Sequence, residues 1–92
     1  MGTFFILGKS SSEELKEISL KYKGEFINVV NRFGGDVRFM YVMLREEYLV
    51  FIFAFPGLKK AMKASLALSK LTGISFRISP AVPVDEFHEL MT

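Results

Sequence analysis

A chain of 92 residues holds one domain and leaves no room for two. Half of its residues are hydrophobic and its mean hydropathy is +0.29, which is rich for so small a domain. Its net charge is +2, an excess too small to demand a nucleic-acid partner, and the absence of cysteine excludes disulfides, thiolate metal sites and cysteine nucleophiles.

In chain order, the apolar run Thr3–Leu7 ends at Gly8 and predicts a first strand. Ser11 followed by Glu14 fits a capping box, and Leu15, Ile18 and Tyr22 then recur at helical spacing. Gly24 is expected to interrupt or bend that helix, which resumes through Phe26, Val29, Val30 and Phe33 and stops at Gly34-Gly35. Strands over 36–44 and 48–55, joined by the polar turn Arg45-Glu46-Glu47, predict a hairpin closed by Pro56-Gly57. Residues 58–72 predict a helix stopped by Gly73. Ile74–Ser79 predicts a fourth strand that Pro80 ends. The tail from Pro83 to Met91 predicts a short helix, with Asp85 and Glu86 at its positive end.

This β-α-β-β-α-β order with a helical tail is the ferredoxin-like arrangement, an α+β fold spanning 1–92 as one domain. Such a fold covers one face of its antiparallel sheet with helices. A half-exposed strand should then alternate apolar and polar residues. Three of the four strands do not. Tyr48, Val50, Ile52 and Ala54 oppose Leu49, Phe51, Phe53 and Phe55 on the third strand. The second divides into Val37, Phe39, Tyr41 and Met43 against Arg38, Met40, Val42 and Leu44, and the first into Phe4 and Ile6 against Phe5 and Leu7. Only the fourth alternates, with Ser75, Arg77 and Ser79 against Ile74, Phe76 and Ile78. Burying one such apolar side chain contributes about 1.5–3 kcal/mol. The expectation is therefore a homodimer, or a higher homo-oligomer, in which two sheets pack face to face. On the second long helix, Lys59, Lys60, Lys63 and Lys70 form one side, read as a solvated face, with Leu58, Ala61, Met62, Leu68 and Leu71 on the rest.

The whole chain resembles the GYD-domain family. The resemblance is carried by Thr3-Phe4-Phe5-Ile6-Leu7-Gly8-Lys9 before a serine-capped helix, Gly34-Gly35, Glu47-Tyr48-Leu49-Val50, Pro56, and Phe87 in an acidic tail. Tyr48 matches the tyrosine of the family's Gly-x-Tyr-Asp turn, whereas Glu46 stands at the glycine and Leu49 at the aspartate. The resemblance implies a ferredoxin-like fold related to the dimeric α/β-barrel proteins and brings no activity with it.

Candidate ligand-binding residues are Arg38, Tyr41, Tyr48, Arg77 and His88; no catalytic set, metal site or cofactor is expected. Arg38 and Arg77, if they share a face, could grip a carboxylate or phosphate bidentately, while the plainer alternative pairs Arg38 with a nearby carboxylate. Tyr41 and Tyr48 could orient a substrate or simply pack across the hairpin. His88, between Glu86 and Glu89, could serve as a base or be an ordinary polar helix residue. Two function classes follow. One is a small-molecule-binding or assembly module without catalysis. The other is a cofactor-free dimeric-barrel enzyme, of monooxygenase or isomerase type, acting on a small apolar or aromatic substrate. RNA-recognition domains share the element order, but Glu46 and Glu47 beside the third strand would repel phosphate, which argues against nucleic acid. No apolar run is long enough to span a membrane, so a cytoplasmic setting is expected.

Overall fold

The structure is a computed structural model that describes the backbone of residues 1–92 and every side chain except those of Ser19 and Leu20. Its elements are β1 (Gly2–Lys9), α1 (Ser12–Lys21), α2 (Lys23–Arg32), β2 (Asp36–Met43), β3 (Tyr48–Phe55), α3 (Leu58–Thr72), β4 (Phe76–Ala81) and α4 (Val84–Leu90). The strands form one sheet in the order β2-β3-β1-β4, with every neighbouring pair antiparallel. This is the ferredoxin-like α+β arrangement that the element order predicts.

The core lies between the sheet and α1–α3. Phe4 and Ile6 of β1 and Leu49, Phe51, Phe53 and Phe55 of β3 all point to this side and are buried with Leu15, Ile18, Phe26, Val30 and Leu68. Alternate residues of β3 put three phenylalanines in a row. Phe51 stacks on Phe53 at 5.2 Å between centroids, and Phe53 meets Phe55 edge-on at 5.7 Å. Phe26 closes on Phe51 from α2 at 5.1 Å. The buried face of α3 consists of Ala61, Ala64, Ser65 and Leu68, a helical repeat of mostly small residues that lets the helix lie close to the strands.

Local chemistry sets the element ends. Ser11 caps α1 by accepting a hydrogen bond from the Glu14 amide at 3.2 Å, and its hydroxyl donates to the Glu14 carboxylate at 3.1 Å. Gly73 ends α3 in the left-handed conformation, φ +77°, where its amide meets the Ser69 carbonyl.

The structure departs from the sequence expectations at four places. The long first helix divides at Tyr22 and not at Gly24. Tyr22 leaves helical geometry (φ −115°, ψ 0°), and its ring stacks on Phe26 at 6.3 Å. Gly24 lies in the first turn of α2, where a glycine costs little helix stability. The fourth strand starts at Phe76 and runs through Pro80 to Ala81, because β4 is an edge strand and can hold a proline whose nitrogen faces away from the sheet. Leu58 and Met62 of α3 are about half exposed, not covered with the rest of the helix's apolar side.

The fourth departure bears on the site. Val37 pairs with Phe53 and Phe39 with Ile52, so Arg38 is the extra residue of a β-bulge. Beyond a bulge the alternation of faces is displaced by one residue. Val37 therefore joins Met40 and Val42 on the helix-covered face, while Phe39, Tyr41 and Met43 stay together on the opposite one.

Candidate functional site

The face of the sheet away from α1–α3 is the feature to explain. Register aligns Tyr41, Val50, Leu7 and Arg77 in one row across the four strands, and Phe39, Ile52, Phe5 and Ser79 in the next. Met43 opposite Tyr48 continues the surface toward the hairpin. The middle of this face is sheltered by its own neighbours, since Val50 and Ala54 are buried, but its flanks are open: Phe39 is 54% exposed, Tyr41 55% and Phe5 36%. Phe39 and Tyr41 stack on one another at 5.8 Å. An open aromatic pair of this kind leaves apolar area in water that contact with another surface would remove.

Polar groups gather at the β4 margin and at the hairpin end. A groove of about 350 Å³ lies there, lined by Leu7, Met43, Glu46, Tyr48, Arg77, Ile78 and Ser79. Leu7, Met43, Ile78 and the Tyr48 ring supply apolar wall, Arg77 supplies five donors in a fixed fork, and Glu46 supplies a carboxylate opposite in sign. A guanidinium beside apolar wall is suited to an organic molecule that carries a carboxylate on an aliphatic or aromatic body.

The expected site residues thus separate. Tyr48 and Arg77 line the same groove. Tyr41 shares their sheet face, but its ring partner is Phe39 and its cross-strand partner is Val50, not Tyr48. Arg38 stands on β2, one edge of the sheet, and Arg77 on β4, the other edge. Three inter-strand steps put them about 14 Å apart, so within one chain they form no common anion pocket. Arg38 instead pairs with Asp36 at 3.4 Å, both well exposed, and lines a shallow groove with Lys23, Phe39 and Tyr41. His88 lies on α4, exposed. Among the described residues there is no cluster of three or more histidine, cysteine, aspartate or glutamate side chains placed to hold a metal ion.

Sequence reasoning missed a second concave region, on the helix side. The half-covered inner face of β2 leaves a groove of about 260 Å³ lined by Ile18, Lys23, Phe26, Met40, Tyr41, Val42 and Leu49. Another, of about 220 Å³, lies between the start of α1 and the hairpin, with Ser12, Lys16, Val42 and Glu47 on its walls. Both lie where the helices leave the inner face of β2 partly uncovered, an arrangement that the residue pattern does not state. Glu47 has φ +56°, the one non-glycine residue with positive φ among the described residues. Its carboxylate accepts from Ser12 Oγ at 2.8 Å and its carbonyl from the Ser10 amide at 3.1 Å, which ties the hairpin to the entry of α1.

No family model and no curated protein matches the sequence. Among solved structures, the fold is similar to that of a NIPSNAP domain protein from Burkholderia xenovorans, with a TM-score of 0.64 at 11% identity over 91% of this chain and 95% of that one. It is also similar to a de novo designed protein, Ferredog-Diesel, with a TM-score of 0.51 at 15% identity over 86% of each chain. At these identities the likeness is one of fold alone. Both comparisons agree with the ferredoxin-like topology of the sheet. No helix among the described residues is long and apolar enough to cross a membrane.

Proposed function

We propose that this protein is a small-molecule-binding module without catalysis, assembled as a homodimer or higher homo-oligomer through its open sheet face, and that it takes an amphiphilic organic anion in the Arg77–Tyr48 groove. The observation that carries the reading is the composition of the open face: aromatic and aliphatic across β2, β3 and β1, with its polar groups at the β4 margin. Two such faces packed together would bury the apolar part and leave each Arg77 at the rim of a partly closed cavity. Kinship with the GYD-domain family and a cytoplasmic setting belong to the same reading; the kinship is supported by the chain order and by Tyr48 at the hairpin.

The test has two arms. Sedimentation velocity at micromolar concentration should give a dimer or larger species, and a clean monomer would overturn the assembly. Titration with phenylacetate, followed by amide chemical shifts, should perturb Leu7, Tyr48 and Ser79 and lose that effect in Arg77→Ala. An equal response in the variant would remove Arg77 from the site.

A cofactor-free enzyme acting on a small apolar or aromatic substrate is the second reading. The helix-side groove favours it, because there Lys23 stands beside an apolar wall of Ile18, Phe26, Met40 and Leu49. Conversion of an aromatic substrate without added cofactor, lost in Lys23→Met, would decide for it.

A further inference from the structure

The C-terminal helix is the least explained element of the molecule. None of the residues of α4 is buried, and it packs little against the other elements. Seven residues are too few for a helix to persist in water on its own propensity. Its side chains are nevertheless sorted. Val84, Phe87, Leu90 and Met91 fall on one side of the helical wheel, and Asp85 and Glu89 lie opposite, with Glu86 at the border beside Leu90. Phe87 is 55% exposed, Leu90 71% and Val84 82%. An amphipathic helix whose apolar side stays largely open lacks a full partner surface.

We propose that α4 is an exchanged arm that packs against a second copy of this chain, completing the interface formed by the two open sheet faces. This rests on the assembly proposed above and adds the element that closes it. Three observations select a second copy as the occupant. The same chain carries both halves of the contact, an unpartnered apolar helix and an unpartnered apolar sheet face, so a two-fold pair satisfies both at once. The area argument agrees. Strands of about eight residues at roughly 3.3 Å each, four wide at about 4.8 Å spacing, give a face of roughly 500 Å². A stable interface usually needs about 800 Å² per partner. Four apolar side chains from the arm add on the order of 300 Å². Charge agrees as well: Glu86 at the border of the apolar side can meet Lys9 at the rim of the partner's open face, whereas the acidic back of the helix disfavours an anionic bilayer. Reach is no obstacle. The arm leaves from β4, an edge of the sheet, and packed sheets lie about 10 Å apart, close to the length of the helix itself.

The experiment compares sedimentation equilibrium of the full chain with that of Phe87→Asp/Leu90→Asp and of Ile52→Lys. Because α4 packs little against its own chain, the double variant should keep the wild-type circular dichroism spectrum while its dimer dissociation constant rises at least tenfold. In mixed dimers, isotope-filtered NOEs should run from the Met91 methyl of a labelled copy to aromatic protons of an unlabelled one. A dimer that Ile52→Lys breaks but the arm variant leaves unchanged would overturn the arm and keep the face-to-face assembly. A monomeric wild type would overturn both. Co-sedimentation of the wild type with phosphatidylcholine–phosphatidylserine vesicles, lost in the arm variant while dimerisation is unaltered, would assign the helix to a lipid surface and overturn the exchange.

Discussion

A methyl group at Gly8 would stand 2.5 Å from the Phe76 ring and 2.8 Å from the Ile74 side chain, which cross β1 at that point. Gly8→Ala should therefore lower stability by about 1–3 kcal/mol, measured by urea unfolding, through overpacking and not through loss of any contact. Glu47 presents the reverse case, a side chain where the backbone prefers none. Its φ of +56° is strained for a residue with a Cβ, and its carboxylate is held by Ser12. Glu47→Ala loses the hydrogen bond and keeps the strain, whereas Glu47→Gly loses the bond and relieves it. Glu47→Gly should be the more stable of the two by about 1 kcal/mol in thermal unfolding. At this scale the sequence was informative about types and weak about geometry. The apolar pattern marked Phe51, Phe53 and Phe55 as one face. Nothing in Arg45-Glu46-Glu47 marked which residue would adopt the left-handed conformation, because glutamate has no preference for it.

Among the elements, α1 was the most legible, since its start is written in Ser11 and Glu14 and both contacts form. Removing that cap in Ser11→Ala should cost about 1 kcal/mol, and the amides of Glu13 and Glu14 should exchange hydrogen faster while those of α3 keep their protection. The break between α1 and α2 was harder to place. Gly24 is the weak helix former in the segment, yet the chain leaves helical geometry at Tyr22, a residue that local propensity does not single out. The bulge at Arg38 escaped for a different reason. Alternation of Val37, Phe39, Tyr41 and Met43 is regular as written, and only pairing with β3 shows that one residue is extra. That single residue decides that Val37 faces the helices, while the places of β2 and β4 at opposite edges of the sheet keep Arg38 from any site shared with Arg77.

For the whole molecule, apolar residues on both faces of three strands are the property on which the proposed assembly rests, and the face they create is present in the structure. Its centre is Ile52, flanked by Phe39 and Phe5 in the same row. Ile52→Lys should leave the monomer folded, because its side chain points away from the core, and should shift the sedimentation profile to the monomer. Retention of the wild-type profile would move the contact elsewhere. The candidate ligand residues were less legible than the face. Arg77 and Tyr48 are far apart in sequence and line one groove only because the sheet order sets β3 and β4 on either side of β1. The helix-side grooves had no sequence signal, since each arises from incomplete cover of β2 by helices whose packing no local pattern states.

The two outer strands carry a consequence of their own. An unpaired strand edge is a template on which further chains can add, and a chain this apolar would be a hazard if its edges were smooth. Neither is. The β2 edge is bent by the bulge at Arg38 and carries the charges of Asp36 and Arg38, and the β4 edge lacks an amide hydrogen at Pro80. Growth by strand addition is blocked on both sides, while the flat of the sheet is left free. If copies associate through the flat of the sheet as proposed, both edges steer them away from open-ended fibres, so a concentrated solution should stay negative in thioflavin fluorescence, and Pro80→Val should be the substitution that first turns it positive.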